Sequence, residues 1–211
     1  MSNVTAEFAN PDTRAAFLAK YVVFIANVAE LDTGSNKAGI RKFYFWKRTD
    51  SVVDLKERMF GGGASDIKAY WLPWKTRDTT SLDMGADANF FFTSQMTGCR
   101  FSVLTKEGEP PKVAHVAGTL SKPKRDEAEG KLVTAMGGAD SVRARRLSVS
   151  QTSEHGYAGQ TVDPGSAFVY GVRNADDNTW TFAAQIVGAN LIPNVDLAAV
   201  PSTAIKAPFS F

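Results

Sequence analysis

Short apolar runs of strand type, separated by turns, are the feature that most restricts how this chain can fold. "RKFYFWKR" places Phe43 and Phe45 on one face of a strand and charged or polar neighbours on the other. "NFFFT", "CRFSVLT" and "KVAHVAGT" are further β-type runs, divided by turns that contain Gly or Pro. Because few segments are typical of helices, the pattern predicts an α+β fold, with a β-sandwich core and helices and loops packed around it.

Other segments give local predictions. "NPDTRAAFLAK" predicts the start of a helix, because Asn10 is a capping residue and Pro11 suits the first turn. The apolar "YVVFIANVA" that follows is a buried strand or a helix, and periodicity does not decide between them. "IKAYWLPWK" predicts a strand interrupted at Pro73, and residues 165–188 predict a hairpin. The mixed charges of residues 122–131 predict a loop or helix face in solvent.

Length and composition exclude several classes of function. A chain of 211 residues predicts one domain, covering residues 1–211. The net charge of +2 gives no general attraction for nucleic acid or an anionic membrane. One Cys and 2 His are too few for a thiolate-rich zinc site, so neither a metal nor a cofactor is expected. The longest apolar run, residues 21–29, is too short to span a bilayer, and the first residues show no secretory signal.

The single cysteine, Cys99, is either a buried space-filler or a nucleophile. Free cysteine usually behaves as a small buried apolar residue. Gly98 precedes it, and a bend there would project the thiol at the start of a strand. Thr93 lies six residues earlier, about 20 Å away along a continuous strand, so the two share a site only if the chain bends between them.

His115 is the candidate partner for this thiol. Gly and Pro between residues 106 and 111 predict a hairpin that returns His115 towards Cys99. Pairing symmetric about residue 108 or 109 would miss by a few residues, whereas a longer loop beginning near Leu104 would align the two. An imidazole can accept the thiol proton, and the Thr93 hydroxyl can orient the imidazole. His115 is equally consistent with a core residue; the other histidine, His155, lies in a polar segment that predicts a surface loop.

The residues around Cys99 resemble the glutamine deamidase toxins of the Burkholderia lethal factor type and, more distantly, the catalytic domain of the cytotoxic necrotizing factors. "YWLPWK" (70–75) is similar to a Trp-Leu-Pro-Trp-Lys stretch of that family, and "FFTSQMTGC" (91–99) to its Phe-Phe-Thr segment ending in Ser-Gly-Cys. "VAHV" (113–116) lies where the family's histidine strand follows. The chain departs from the family's Leu-Ser-Gly-Cys with Met-Thr-Gly-Cys, and its Cys-to-His interval is longer. The resemblance covers residues 68–118.

The resemblance implies an activity and a site. Cys99 would be the nucleophile and His115 the base and acid, and Thr93 would fill the position of an active-site threonine; chemotaxis-receptor deamidases have a similar arrangement. The substrate would be a glutamine of a host protein, with a translation-initiation DEAD-box helicase as first candidate and Rho-family GTPases as second. The toxin would act as a monomer without cofactor, nucleic acid or membrane, and would be secreted or delivered to the host cytosol by a route without a visible signal.

Two other hypotheses remain. A transglutaminase or thiol protease would use the same acyl-enzyme. A non-catalytic β-rich binding module would have a merely structural Cys99. Trp71 and Trp74 are expected to lie in the core rather than to contact substrate, because tryptophans near a strand end usually pack.

Overall fold

The computed structural model describes residues 3–25, 37–137, 143–148 and 166–187, with only the backbone for 143–148 and 186–187. These residues contain three helices and eleven strands. The helices are α1 (Val4–Ala9), α2 (Pro11–Lys20) and α3 (Lys122–Ala135). The strands are β1 (Val22–Ile25), β2 (Gly39–Lys47), β3 (Val52–Glu57), β4 (Ile67–Leu72), β5 (Thr79–Asp83), β6 (Phe90–Thr93), β7 (Arg100–Thr105), β8 (Lys112–Val116), β9 (Arg143–Ser148), β10 (Ser166–Arg173) and β11 (Trp180–Val187).

The larger of two sheets has seven strands in the order β1-β3-β2-β4-β6-β10-β11. It is mixed, because β1 pairs with β3 and β4 with β6 in parallel, while the other pairs are antiparallel. Helices α1 and α2 cover one of its faces, where Phe8 and Phe17 meet Phe43, Phe92 and Phe168 in one buried cluster. The aromatic residues at every second position of β2 and β6 therefore anchor the helices.

The smaller sheet, in the order β5-β8-β7-β9, packs against the opposite face of the large sheet. Phe91 of β6 and Phe182 of β11 belong to the large sheet, and Phe101 of β7 belongs to the small one. Their ring centroids lie 5.5–5.7 Å apart, the spacing of packed aromatic pairs. This interface confirms the predicted α+β fold with a β-sandwich core.

Most local predictions are confirmed. Asn10 caps α2, accepting a hydrogen bond from the Asp12 N–H at 2.9 Å, and β4 ends immediately before Pro73. The hairpin of β10 and β11 pairs from Ser166 with Val187 to Arg173 with Trp180. The undecided apolar segment begins as the strand β1.

The mixed-charge segment is only partly in solvent. It forms most of α3, which turns Glu129 inward onto the outer face of the small sheet. Glu129 accepts a hydrogen bond from the Ser102 hydroxyl at 2.7 Å and pairs with Arg100 at 2.9 Å. Arg100 is itself buried, so the inward carboxylate compensates a charge that burial would otherwise penalise. The prediction of a fully solvated face was therefore wrong at Glu129.

The large sheet curls until its two outermost strands approach each other, and a buried side-chain amide joins them. Gln185 of β11 donates to the carbonyls of Leu18 and Tyr21 at 2.8 and 2.7 Å. Its carbonyl oxygen accepts from the N–H of Val23 in β1 at 2.9 Å. One side chain thus provides hydrogen bonds to three backbone groups that would otherwise be buried without a partner between β1 and β11.

Replacing Gln185 with Leu should lower the free energy of unfolding by about 2–5 kcal/mol, since each buried backbone group left without a partner costs about 1–3 kcal/mol. Urea denaturation of the two proteins measures this. Gln95→Leu is the matched control, because Gln95 bonds a single β1 group, the Ile25 N–H, at 3.3 Å and is only partly buried. Equal losses in the two variants would contradict the role given to Gln185.

Candidate active site

The chain changes sheets between Thr93 and Cys99. Thr93 is the last residue of β6 in the large sheet, and Cys99 immediately precedes β7 in the small one. Midway, Met96 is fully buried and exchanges two backbone hydrogen bonds with Ala167 of β10, at 3.0 and 2.8 Å. The bend expected between Thr93 and Cys99 is therefore present, and it returns Cys99 to the same end of the sandwich as Thr93.

His115 lies diagonally from Cys99 rather than opposite it. In the antiparallel pairing of β7 and β8, Arg100 faces Val116 and Phe101 faces His115. This register is symmetric about residue 108, which is the first of the two closures considered above, so His115 misses the position directly opposite Cys99. Because side chains alternate along a strand, Cys99 and Phe101 point to the same face, and so does His115. Diagonal neighbours on one face lie about 7–8 Å apart, within reach of an imidazole.

The Thr93 hydroxyl joins the two sheets through His115. Its oxygen lies 2.8 Å from the His115 Nδ1 and 2.7 Å from the carbonyl oxygen of Leu72 in the neighbouring strand β4. A carbonyl only accepts, so the single hydroxyl proton must be donated to Leu72. Thr93 therefore accepts from Nδ1–H, and in the neutral ring Nε2 has the lone pair.

This imidazole is buried, and one of its nitrogens has no hydrogen-bond partner within the described part of the chain. His115 has no exposed surface, and among the described residues nothing hydrogen-bonds to its Nε2. Burial lowers the pKa of His115 to about 3. The ring is therefore neutral at physiological pH, with an unoccupied proton-accepting atom on the face of the sheet that also holds Cys99.

Cys99 is 6% exposed, and hydrogen-bond donors surround its sulfur. Burial raises the pKa of the Cys99 thiol; the N–H groups of Gly118 and Thr97, the charge of Arg125 and the Trp74 side chain act in the opposite direction. The Gly118 N–H lies 3.3 Å from the sulfur. With burial raising one pKa and lowering the other, the free protein holds a neutral thiol and a neutral imidazole rather than an ion pair.

The peptide between Gly98 and Cys99 is held from two sides. The Arg125 guanidinium of α3 donates to the Gly98 carbonyl at 3.2 Å. On the other side Gly118 approaches so closely that a Cβ there would lie 2.5 Å from the Gly98 carbonyl carbon and oxygen. These contacts fix the plane of the peptide, and hence the position from which the Cys99 side chain projects.

Gly98 is not the glycine that this geometry requires. It lies in a bend, but its φ is not in the left-handed region, and a Cβ on it would meet nothing within 4 Å. The required glycine is Gly118, after β8. A glycine at the end of a strand that packs against another backbone is the sequence signal that identifies it.

Three other neighbours of the sulfur were not predicted from the sequence. Trp71 is a core residue as expected, but Trp74 is only half-buried; it packs against the core and also reaches the Cys99 sulfur. Arg125 belongs to a segment predicted to face solvent, and Thr97 is an unremarkable polar residue. No local pattern distinguishes Arg125 or Thr97 from surface residues. His155 lies outside the described residues.

Neither a metal site nor a membrane helix is found in the part of the chain that the structure describes. No group of three or more His, Cys, Asp or Glu side chains there is arranged to hold a metal ion. None of the described helices combines the length and apolar character needed to cross a bilayer.

No protein family matches the chain. No curated protein matches it either.

Alanine should destabilise the protein at Gly118 and have little effect at Gly98. In Gly118→Ala the added Cβ would collide with the Gly98 backbone, which should lower the free energy of unfolding by about 1–3 kcal/mol, the usual penalty for overpacking. The same collision should displace the Cys99 thiol. Gly98→Ala should stay within about 0.5 kcal/mol of wild type, as expected where nothing is contacted. Urea denaturation and the rate of thiol modification measure the two effects. A larger loss for Gly98→Ala would contradict the assignment.

Stability should fall on acidification because of His115. Between its folded pKa of about 3 and the ordinary value of 6.5, the unfolded chain binds a proton at His115 that the folded protein excludes. The free energy of unfolding should therefore decrease by up to about 1.4 kcal/mol for each pH unit lowered within this window. Denaturation of wild type and His115→Gln at several pH values isolates this contribution, since other titrating groups are common to both. Parallel pH profiles would show that His115 is not buried as a neutral ring.

Proposed function

We propose that this protein is a cysteine-dependent protein glutamine deamidase, with Cys99 as nucleophile, His115 as general base and acid, and Thr93 as the residue that orients His115. The observation that carries the proposal is the bonding at Thr93, whose proton goes to Leu72 and whose oxygen accepts from His115 Nδ1. This leaves His115 Nε2 as a proton acceptor on the same face as Cys99. A base oriented by a third group beside a thiol is the arrangement that nucleophilic catalysis requires.

The orphaned nitrogen favours catalysis over a structural histidine. A buried polar atom without a partner costs about 1–3 kcal/mol, and most buried polar atoms avoid this cost. Within the residues that the structure describes, His115 bears this cost at Nε2, while its Nδ1 is hydrogen-bonded to Thr93. A purely structural core residue gains nothing from such an arrangement, whereas a general base needs this lone pair unoccupied.

The first half of the reaction forms a thioester. The Cys99 sulfur attacks the side-chain carboxamide carbon of the target glutamine while His115 Nε2 accepts the thiol proton. The carbonyl oxygen becomes an oxyanion, stabilised by N–H donors at the sulfur such as those of Gly118 and Thr97. The intermediate collapses as the imidazolium gives its proton to the departing nitrogen, which leaves as ammonia.

The second half uses water. His115 accepts a proton from the water molecule that attacks the thioester carbon, and the carbon–sulfur bond breaks as that proton returns to the sulfur. The products are a glutamate side chain and the original neutral pair of Cys99 and His115. Because the resting pair is neutral, attack is coupled to proton transfer and needs no preformed thiolate.

Because Cys99 is a neutral thiol in the free protein, the rate of thiol modification does not distinguish a catalytic cysteine from a structural one. A thiol with a raised pKa that is 6% exposed reacts slowly with an alkylating reagent, whether it is catalytic or structural. Slow modification is therefore compatible with both hypotheses, and product analysis is the decisive measurement.

Substrate and setting are proposed from the resemblance around Cys99. A translation-initiation DEAD-box helicase is the first candidate and a Rho-family GTPase the second, and the enzyme would act as a delivered or secreted monomer inside a host cell. Converting a neutral amide to a carboxylate leaves a new charge in the target's interface or active site, which is a sufficient means of inactivation.

Ammonia release from a eukaryotic lysate, and from the two purified candidate targets, tests the activity. Wild-type protein should convert one Gln to Glu, located by mass spectrometry, and Cys99→Ser should release no ammonia above background. His115→Ala should lose about 10²–10⁴-fold in rate, the usual contribution of a general base. His155→Ala is the matched control and should retain activity.

Other products would identify the alternatives. Crosslinked protein without conversion of the target Gln to Glu would indicate a transglutaminase, and cleavage of the backbone would indicate a protease. Ammonia released equally by wild type and Cys99→Ser would contradict the proposed nucleophile. Absence of any Cys99-dependent product in the lysate and with both targets would favour the non-catalytic binding module.

A further inference from the structure

A groove of about 560 Å³ lies at the end of the large sheet remote from Cys99. Its polar lining includes Arg14 of α2, Asn89, and Tyr170 and Arg173 of β10, and Phe90 forms an apolar wall. The volume is within the range of about 300–1,000 Å³ typical of small-molecule sites. Ala167, at the Cys99 end of β10, is six residues from Arg173, which corresponds to about 20 Å along a strand.

Two guanidinium groups in this groove have no carboxylate partner. Among the described residues, neither Arg14 nor Arg173 forms an ion pair, and no Asp or Glu lines the groove. Other arginines do have carboxylate partners, namely Arg41, Arg48, Arg58 and Arg100. The partners of the two guanidinium groups are neutral: backbone carbonyls, amide side chains and the Phe8 and Phe90 rings. The groove therefore keeps a net positive charge, which favours an anion.

Both arginines are held in place before any ligand arrives. Arg14 donates Nε and Nη2 to the carbonyls of Phe8 and Ala9, at 2.8 and 2.9 Å. Arg173 donates Nη1 to the Asn178 side chain at 2.5 Å and Nη2 to the Asn89 side chain at 2.6 Å, while its Nε is buried and has no partner among the described residues. Burial also lowers the pKa of Arg14, against the opposing effect of Tyr170, although an arginine stays protonated.

We propose that this arginine groove, defined by Arg14, Asn89, Phe90, Tyr170, Arg173 and Thr181, is a binding site for the phosphate or carboxylate group of a small ligand. The N–H groups of the two guanidinium groups that have no protein acceptor among the described residues bind the oxyanion by charge-assisted hydrogen bonds. Phe90 and the Tyr170 ring contact the apolar part of the ligand. The site is independent of Cys99 and of the proposed deamidation.

The test is binding of phenyl phosphate and of benzoate to the full chain by calorimetry, at constant ionic strength set with sodium chloride. Wild type should bind at least one of them. Arg173→Gln should weaken that binding about tenfold or more, since a hydrogen bond to a charged group is worth about a factor of ten. Arg77→Gln is the matched control; Arg77 is exposed on a distant loop, and its replacement should leave the affinity unchanged.

A second variant tests the site without the risk that the substitution unfolds the protein. Arg14 also bonds the end of α1, so its replacement can unfold the protein, whereas Thr181 is exposed at the rim of the groove. Thr181→Glu supplies an internal carboxylate and should abolish binding without loss of thermal stability. Binding of phenyl phosphate alone identifies a phosphate ligand, and binding of benzoate alone a carboxylate. Binding of neither probe above the sodium chloride control, or equal binding by wild type, Arg173→Gln and Thr181→Glu, would overturn the proposal.

Discussion

The passage of the chain from the large sheet to the small one, over residues 94–99, is the constraint on which the site depends. The sheets are held face to face by the aromatic contacts among Phe91, Phe101 and Phe182. Their separation fixes how far Thr93 lies from His115, because the two residues belong to different sheets. A hydrogen bond of 2.8 Å across that interface tolerates little change in packing. The geometry of the site therefore depends directly on the packing of the core.

Burial acts on the site in two opposing ways. It penalises charge, which keeps both the Cys99 thiol and the His115 ring neutral. It also removes competing water, so the N–H groups that face the sulfur interact more strongly with a developing negative charge. A neutral resting pair with donors already in place costs no reorganisation when charge appears in the transition state. In the proposed reaction, the lack of a partner for His115 Nε2 among the described residues is the energetic cost of keeping the base available.

Local patterns in the sequence predicted the helices and strands, but they did not predict the pairing register between strands, which places the site residues. The alternation in β2, the Asn10 cap and the hairpin of β10 and β11 depend on near neighbours, and all three were predicted correctly. The pairing of His115 with Phe101 depends on how the loop between β7 and β8 closes, and the sequence allowed more than one closure. Similarly, the position of Gly98 next to Cys99 predicted a bend there, whereas the close approach involves Gly118, nineteen residues after Cys99. Contacts of that separation are set by tertiary packing, which no short motif encodes.

The surroundings of Cys99 favour water over a larger nucleophile in the second half of the proposed reaction. Hydrolysis and transglutamination share the thioester intermediate and differ in the nucleophile that attacks it, which is water in the first and an amine in the second. A lysine side chain needs a second channel wide enough for its apolar stem, whereas water needs room for a single molecule. His115 has no exposed surface and Cys99 very little, and Trp74 lies against the sulfur. In the proposed reaction, the burial that makes the thiol hard to reach therefore favours hydrolysis of the thioester over its transfer to an amine.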